Sequence, residues 1–135
     1  MGTLPEGRQR VLVIDDFKAI RDIISKFFAH MGYSVVAADN GKEALGLFFD
    51  NPFSLVLTDL DMPEIDGLTL AFSIKQRYPH TPVVLITGSE SEDIQKGLVD
   101  LIIPKPFKIK DLEQTAQRFL SKGKSVAAVA SELSK

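Results

Sequence analysis

Residues 11–16 read VLVIDD, a short β-branched and aliphatic run that ends abruptly on two acids. An unbroken apolar run bounded by polar residues is typical of a strand that is buried on both faces. The pattern returns at residues 53–58, FSLVLT, which Asp59 follows directly. Both predicted strands therefore carry an acidic residue directly after their carboxyl ends.

Segments with helical periodicity separate these strands. Apolar residues recur every three or four positions, as on one face of an amphipathic helix. We expect Ala44, Leu45, Phe48 and Phe49 to point inward from the second helix, and Asp66 to cap the third. The predicted helices span residues 17–31, 42–50, 68–77, 91–98 and 108–120, and the remaining strands span 33–38, 82–86 and 101–103. Strands that alternate with helices predict a doubly wound α/β fold, since crossover helices join parallel neighbours.

Length and composition favour one globular domain. The chain has 135 residues, of which 44% are hydrophobic and 25% charged. The net charge of -2 leaves no global positive field, so we expect no direct nucleic-acid partner. No stretch resembles a signal peptide or a membrane span, and the absence of cysteine agrees with a cytoplasmic location.

Polar residues follow the predicted strands at a single edge of the sheet. These residues are Asp15, Asp16, Asp59, Thr87 and Lys105. Three carboxylates in one pocket repel one another unless a cation neutralises them. Since the chain has two histidines and no cysteine, a hard ion with oxygen ligands is expected, magnesium or calcium, and magnesium fits well.

A lysine and a hydroxyl beside such an ion provide the positive charge and the donor that a transferred phosphoryl group requires. Asp59 is the best candidate nucleophile because it ends the central-looking strand. Asp15 and Asp16 would then hold the metal. The pattern therefore predicts phosphoryl chemistry on a carboxylate.

Together these residues resemble the receiver domains of two-component response regulators. The matching motifs are VLVIDD at 11–16, LVLTDLDMPEIDG at 55–67, ITG at 86–88 and KPF at 105–107. The resemblance covers nearly the whole chain. It implies a flavodoxin-like, doubly wound, five-stranded parallel sheet of order 2-1-3-4-5 with five helices. It also implies an N-terminal lead-in at residues 1–8, a receiver domain at 9–121 and a helical extension or linker tail at 122–135.

The resemblance further implies a signalling switch, which is no enzyme on outside substrates and catalyses only its own phosphorylation and autodephosphorylation. Asp59 would accept a phosphoryl group from a phosphohistidine on a histidine kinase or a histidine phosphotransfer protein. Mg²⁺, or Mn²⁺ in its place, would be held by Asp15, Asp16, Asp59 and the backbone carbonyl of Asp61. Lys105 would pair with the phosphoryl oxygens, Thr87 would supply the switch hydroxyl, and Pro106 would follow a cis peptide bond.

The chain also departs from the family pattern. Ile102 occupies the position where an aromatic switch residue often stands in the last strand. Gly88 follows Thr87 where alanine is more usual, which would open the phosphoryl pocket to water and shorten the lifetime of the phosphoryl group. Thr87 and Lys105 are 105 - 87 = 18 positions apart, which is short for the family, so we expect the fourth helix to be short or distorted.

Other interpretations stay open at this point. A haloacid-dehalogenase-type phosphatase would explain the Asp59-Leu60-Asp61 sequence, but it requires an acidic pair after the lysine. A degenerate receiver would bind a partner without phosphorylation. The chain could be a stand-alone regulator or the terminal receiver of a hybrid histidine kinase. The downstream effector is unknown, and a homodimer is conceivable.

Overall fold

The computed structural model describes residues 9–50, 52–88 and 97–120. Strands and helices alternate along the chain up to the fourth strand, as the sequence predicts. In chain order they are β1 (Arg10–Ile14), α1 (Lys18–His30), β2 (Ser34–Ala38), α2 (Gly41–Asp50), β3 (Leu55–Asp59), α3 (Gly67–Arg77), β4 (Val83–Thr87), β5 (Leu101–Pro104) and α4 (Ile109–Phe119).

The five strands form one parallel sheet in the order β2-β1-β3-β4-β5. The predicted α/β class and strand order are therefore confirmed. β3 lies at the centre, between β1 and β4, and every residue of β3 and β4 is buried. This arrangement places the carboxyl end of β3 in the middle of one edge of the sheet.

The helix count differs from the expectation of five, since the described residues contain four helices. Most of the predicted short helix at 91–98 falls on residues 91–96, outside the described part. Its last two residues, Gly97 and Leu98, form a turn and a bend. The lead-in at 1–8 and the tail at 122–135 also lie outside the described residues.

Successive residues of β1 point to opposite faces of the sheet and enter two hydrophobic cores. Val11 and Val13 belong to the core that includes α1 and α4. Leu12 and Ile14 belong to the core that includes α2 and α3. Among the fully buried large side chains are Phe27 and Phe28 of α1 and Phe48 of α2. Helices on both faces explain why this strand reads as an uninterrupted apolar run.

The helices bear on two predictions from the sequence, one about Phe49 of α2 and one about Asp66 before α3. The prediction that Phe49 points inward is wrong. Its side chain is 37% exposed, and the guanidinium carbon of Arg77 lies 5.0 Å from its ring centroid. The position after Phe48 points about 100° away from it around the helix axis, and on α2 that direction leads to the surface beside Arg77. Asp66 is the N-cap of α3, as predicted, and its Oδ1 accepts a hydrogen bond from the Thr69 backbone N–H at 2.8 Å.

Within the part of the chain that the structure describes, no helix is both long enough and apolar enough to cross a membrane.

Gly67, the first residue of α3, lies against the chain that follows β3. Its N–H donates to the Leu60 carbonyl at 2.9 Å. A Cβ placed there would lie 2.8 Å from the Leu85 side chain and 2.9 Å from Leu60 Cα, and closer still to the Asp59 carbonyl oxygen. Only a residue without a side chain lets α3 approach the end of β3 so closely.

We expect Gly67→Ala to lower the free energy of unfolding by about 1–3 kcal/mol, because backbone atoms must move to admit the methyl group. Gly46→Ala is the matched control. Gly46 lies on the exposed side of α2 with nothing within 4 Å of its missing Cβ, so alanine should stabilise the protein by about 0.5–1 kcal/mol. Urea unfolding of both variants measures the two effects. Equal effects of the two substitutions would contradict the close approach.

Candidate functional site

Four strands deliver polar residues to the carboxyl edge of the sheet. Asp15 follows β1, Asp59 and Thr87 end β3 and β4, and Lys105 follows β5. Because β1 pairs with β3, β3 with β4 and β4 with β5, the ends of all four strands meet. The geometry thus brings together residues that are far apart in the sequence.

Three carboxylates form the centre of the site. One oxygen from each of Asp15, Asp16 and Asp59 lies within 4.8 Å of the other two. Asp15 and Asp59 are buried, with 1% and 5% of their surface exposed, while Asp16 is exposed. One side of the group is therefore open to solvent and to a ligand.

Lys105 links the buried carboxylates. Its Nζ donates a hydrogen bond to Asp59 Oδ1 at 3.2 Å and lies 3.5 Å from Asp15 Oδ2. A single ammonium against three ionised carboxylates leaves the group negatively charged. This excess favours a bound cation.

The pKa of Asp59 is raised above its ordinary value. The main cause is burial, and the charge of Asp15 adds to it. The ion pair and hydrogen bond with Lys105, and a hydrogen bond from the Asp61 backbone N–H, act in the opposite direction. Burial and repulsion therefore outweigh the attraction of the lysine, which makes Asp59 a more basic carboxylate than one in water.

Asp15 presents one oxygen to the site. Its Oδ1 accepts a hydrogen bond from the Phe17 backbone N–H at 2.8 Å. Its Oδ2 is buried and makes no hydrogen bond. A buried oxygen of this kind is costly unless a ligand satisfies it, and a set of carboxylate oxygens is the donor type that Mg²⁺ prefers. The residues present therefore fit a divalent cation.

Thr87 and Lys105 are connected through the backbone, where the Lys105 N–H donates to the Thr87 carbonyl at 2.8 Å. The Lys105–Pro106 peptide bond is cis, as expected from the resemblance. Next to Thr87, a Cβ added to Gly88 would lie 3.9 Å from Lys105 Cβ and would meet no other described residue. Among the described residues, the space beside Gly88 is therefore open.

Asp61 and Ile102 lie outside the buried centre of the site, which Asp15 and Asp59 form. Asp61 is exposed in the segment after β3, and its N–H reaches the Asp59 carboxylate. Ile102 is half-buried on β5 and lines a shallow cavity with Arg118 of α4.

Sequence reasoning missed two contacts in the site. The Arg21 guanidinium donates to the Asp15 carbonyl at 2.7 Å, and the buried Thr58 hydroxyl donates to the Asp59 carbonyl at 3.0 Å. The signal for Thr58 was a polar residue inside an otherwise aliphatic strand. For Arg21 the only signal was its place one turn into the helix that follows the acidic pair.

The chain matches curated regulators over most of its length. It is 35% identical over 116 residues to the regulatory protein AtoC of Escherichia coli, which covers 82% of this chain and 25% of AtoC. It is 34% identical over 116 residues to the DNA-binding transcriptional regulator NtrC of Salmonella typhimurium, covering 82% of this chain and 24% of NtrC. The chain thus spans about a quarter of the length of these relatives.

Solved structures agree with the fold. The chemotaxis protein CheY4 of Vibrio cholerae superposes with a TM-score of 0.78 at 28% identity, covering 84% of this chain and all of CheY4 (100%). The response regulator TrrA of Thermotoga maritima, solved in complex with Mg(2+)-BeF, superposes with a TM-score of 0.76 at 30% identity, covering 83% of this chain and 99% of TrrA.

The family model of the response regulator receiver domain matches residues 11–117. This range includes every strand and helix described above except the first residue of β1 and the last two of α4. The chain therefore belongs to the response regulator receiver domain family, the signalling domains of two-component systems.

Proposed function

We propose that Asp59 accepts a phosphoryl group from a phosphohistidine on a histidine kinase or a histidine phosphotransfer protein, in a reaction that depends on Mg²⁺. One observation carries the proposal. Asp59 is a buried carboxylate of raised pKa that is hydrogen-bonded to Lys105 and lies beside two further carboxylates. This combination gives a nucleophile, a positive charge and a cation site in one place.

The transfer is a displacement at phosphorus. A carboxylate oxygen of Asp59 bonds to the phosphorus while the nitrogen–phosphorus bond breaks, and the imidazole takes up one proton from water and leaves as a neutral ring. The product is an acyl phosphate on Asp59. Lys105 stays close to this carboxylate and offsets negative charge on the phosphoryl oxygens.

Asp15, Asp16 and Asp59 would hold the cation, together with the Asp61 backbone carbonyl. Mn²⁺ has the same preference for oxygen ligands and can replace Mg²⁺. When bound, the cation lowers the repulsion between the carboxylate nucleophile and the phosphoryl group. The buried Asp15 Oδ2, which makes no hydrogen bond and has only the more distant charge of Lys105 at 3.5 Å, supports this assignment.

Phosphorylation would then shift an equilibrium between two states of the domain, which a linked domain or partner detects. The Thr87 hydroxyl would move toward the phosphoryl group. Ile102 offers no aromatic ring to follow that movement, so the coupling through β5 would be weaker or use another route. The space beside Gly88, which is open among the described residues, supports a short-lived phosphoryl group.

An apolar groove beside the site is suited to the phosphodonor protein. It has a volume of about 550 Å³, and its lining includes Lys105 and Ile23, which is 49% exposed. The other lining residues are Ile20, Pro106, Phe107 and Ile109. A donor that presents phosphohistidine to Asp59 must contact surface next to Lys105, and an apolar groove there stabilises such a complex by burial.

Family membership leaves the dehalogenase-type phosphatase without support. A receiver that acts without phosphorylation is the remaining alternative, and phosphorylation of the purified chain in the experiment below would exclude it. We retain residues 9–121 as the receiver unit.

Acetyl phosphate should add one phosphoryl group to the purified chain when Mg²⁺ is present, and none in excess EDTA. Asp59→Asn should abolish the addition, because an amide cannot form the acyl phosphate. Intact-mass spectrometry measures both results. Asp66→Asn is the matched control: it removes an exposed carboxylate seven positions along the chain, and asparagine caps a helix as well as aspartate does.

Phosphorylation of Asp59→Asn at the wild-type rate would refute the assignment of the acceptor. Absence of phosphorylation in the wild-type chain, with Mg²⁺ bound normally, would favour the phosphorylation-independent module.

Asp59→Asn should raise the melting temperature of the metal-free protein at pH 7 by a few degrees, as about 1 kcal/mol would in a domain of this size. The raised pKa of Asp59 means that the folded state binds its proton more tightly than the unfolded state. The stability that protonated Asp59 contributes is therefore lost as the pH rises from the pKa of Asp59 in the unfolded state to its higher pKa in the folded state. Melting curves in EDTA at several pH values measure the effect, and a gap that widens toward low pH would contradict it.

Ile23→Glu should slow transfer from a phosphorylated histidine phosphotransfer protein that is active on the wild-type chain, by about tenfold or more. Phosphorylation by acetyl phosphate should be unchanged, because the small donor needs no groove. Phe72→Glu is the control, since Phe72 is also 49% exposed but lies on α3, on the other face of the sheet. Equal slowing by both variants would contradict docking in the groove.

A further inference from the structure

The peptide group between Asp15 and Asp16 is held by a side chain from α1. The Arg21 guanidinium donates a hydrogen bond of 2.7 Å to the Asp15 carbonyl oxygen. That oxygen belongs to the peptide plane that joins the two acids. The orientation of this plane determines where both carboxylates point, since each leaves the backbone from a Cα at one end of it.

The hydrogen bonds of Asp15 show how tightly this residue is held. Its N–H donates to the Ala38 carbonyl at 3.3 Å, its carbonyl accepts from Arg21, and its Oδ1 accepts from the Phe17 N–H. Only Oδ2 makes no hydrogen bond. Every other polar atom of Asp15 is therefore used to hold this one oxygen at the carboxylate cluster.

Arg21 is an unexpected residue at this end of α1. A cation near the N-terminus of a helix is unfavourable because the helix dipole is positive there. The first turn has no acidic residue, and the N-cap, Phe17, offers no side-chain hydrogen bond. The contact with a carbonyl oxygen offsets part of this cost through a charge-assisted hydrogen bond.

We infer that Arg21 is a positioning residue for the divalent-cation site, which it serves by fixing the Asp15–Asp16 peptide so that both carboxylates face the ion. The inference rests on the proposed function, because it assumes that these carboxylates bind Mg²⁺. Arg21 itself does not touch the ion. It acts through the backbone of the two ligands.

A purely electrostatic role and a positioning role of Arg21 predict opposite changes in Mg²⁺ affinity when Arg21 is removed. If its positive charge were all that mattered, its removal would lessen repulsion and strengthen cation binding. If it positions the ligands, its removal frees the peptide to rotate and weakens binding, by about tenfold as for other residues that orient metal ligands. The sign of the change therefore separates the two roles.

Isothermal titration with MgCl₂ of the unphosphorylated protein, stripped of metal, measures the affinity directly. We expect Arg21→Met to weaken Mg²⁺ binding about tenfold, and Arg21→Lys, which keeps a charged donor, to restore much of the loss. Lys18→Met is the matched control. It removes one positive charge from the same turn of α1, but Lys18 pairs with Asp22 at 2.6 Å and its side chain is 78% exposed, so affinity should stay equal or rise slightly.

Melting curves in EDTA establish that each variant is folded. If Arg21→Met does not fold, Arg21→Gln, whose side chain is two atoms shorter and carries no charge, takes its place with the same expectation. Unchanged or tighter Mg²⁺ binding by the folded variant would overturn the positioning role and leave the proposed function intact. Failure of the wild-type chain to bind Mg²⁺ would overturn the proposed cation site, and the role of Arg21 with it.

Discussion

The contact between Lys105 and the carboxylates of Asp59 and Asp15 depends on the whole sheet. Lys105 Nζ lies 3.2 Å from Asp59 Oδ1 across 46 positions of sequence. The contact requires β3, β4 and β5 to be parallel and in register, so that their ends meet at one edge. Burial of two acids costs free energy that the lysine offsets only in part, which is visible in the raised pKa of Asp59. The site therefore holds an excess of negative charge, which is the kind of environment that favours a bound cation.

Backbone contacts around the site maintain this geometry. Gly67 lets α3 lie against the end of β3, and the Lys105 N–H holds the end of β5 to Thr87. Arg21 and the Phe17 N–H hold Asp15. Rigid support of this kind keeps charged groups close together although they repel one another, since the packed cores on both faces leave the strand ends little freedom to separate.

Much of the fold was readable from local patterns, because burial on two faces produces apolar strands and burial on one face produces amphipathic helices. Local patterns locate strand boundaries less accurately: the strand predicted at 53–58 begins two residues later, at Leu55, and includes Asp59. Phe49 shows another limit. Its hydrophobic side chain suggested the core, but the direction of its position on α2 places it at the surface against Arg77. Composition alone cannot distinguish adjacent phenylalanines on a helix.

The sequence by itself determined which residues follow the strands, and so which acids, hydroxyl and lysine reach the carboxyl edge, because a parallel α/β sheet turns chain order into a single polar edge. Only the tertiary structure decided how these groups interact. It left Asp15 Oδ2 without a hydrogen bond, buried Asp59 while Asp16 stayed exposed, and brought Arg21 to the Asp15 carbonyl. These properties depend on distances of a few ångströms between elements distant in sequence, which packing sets and no local pattern records.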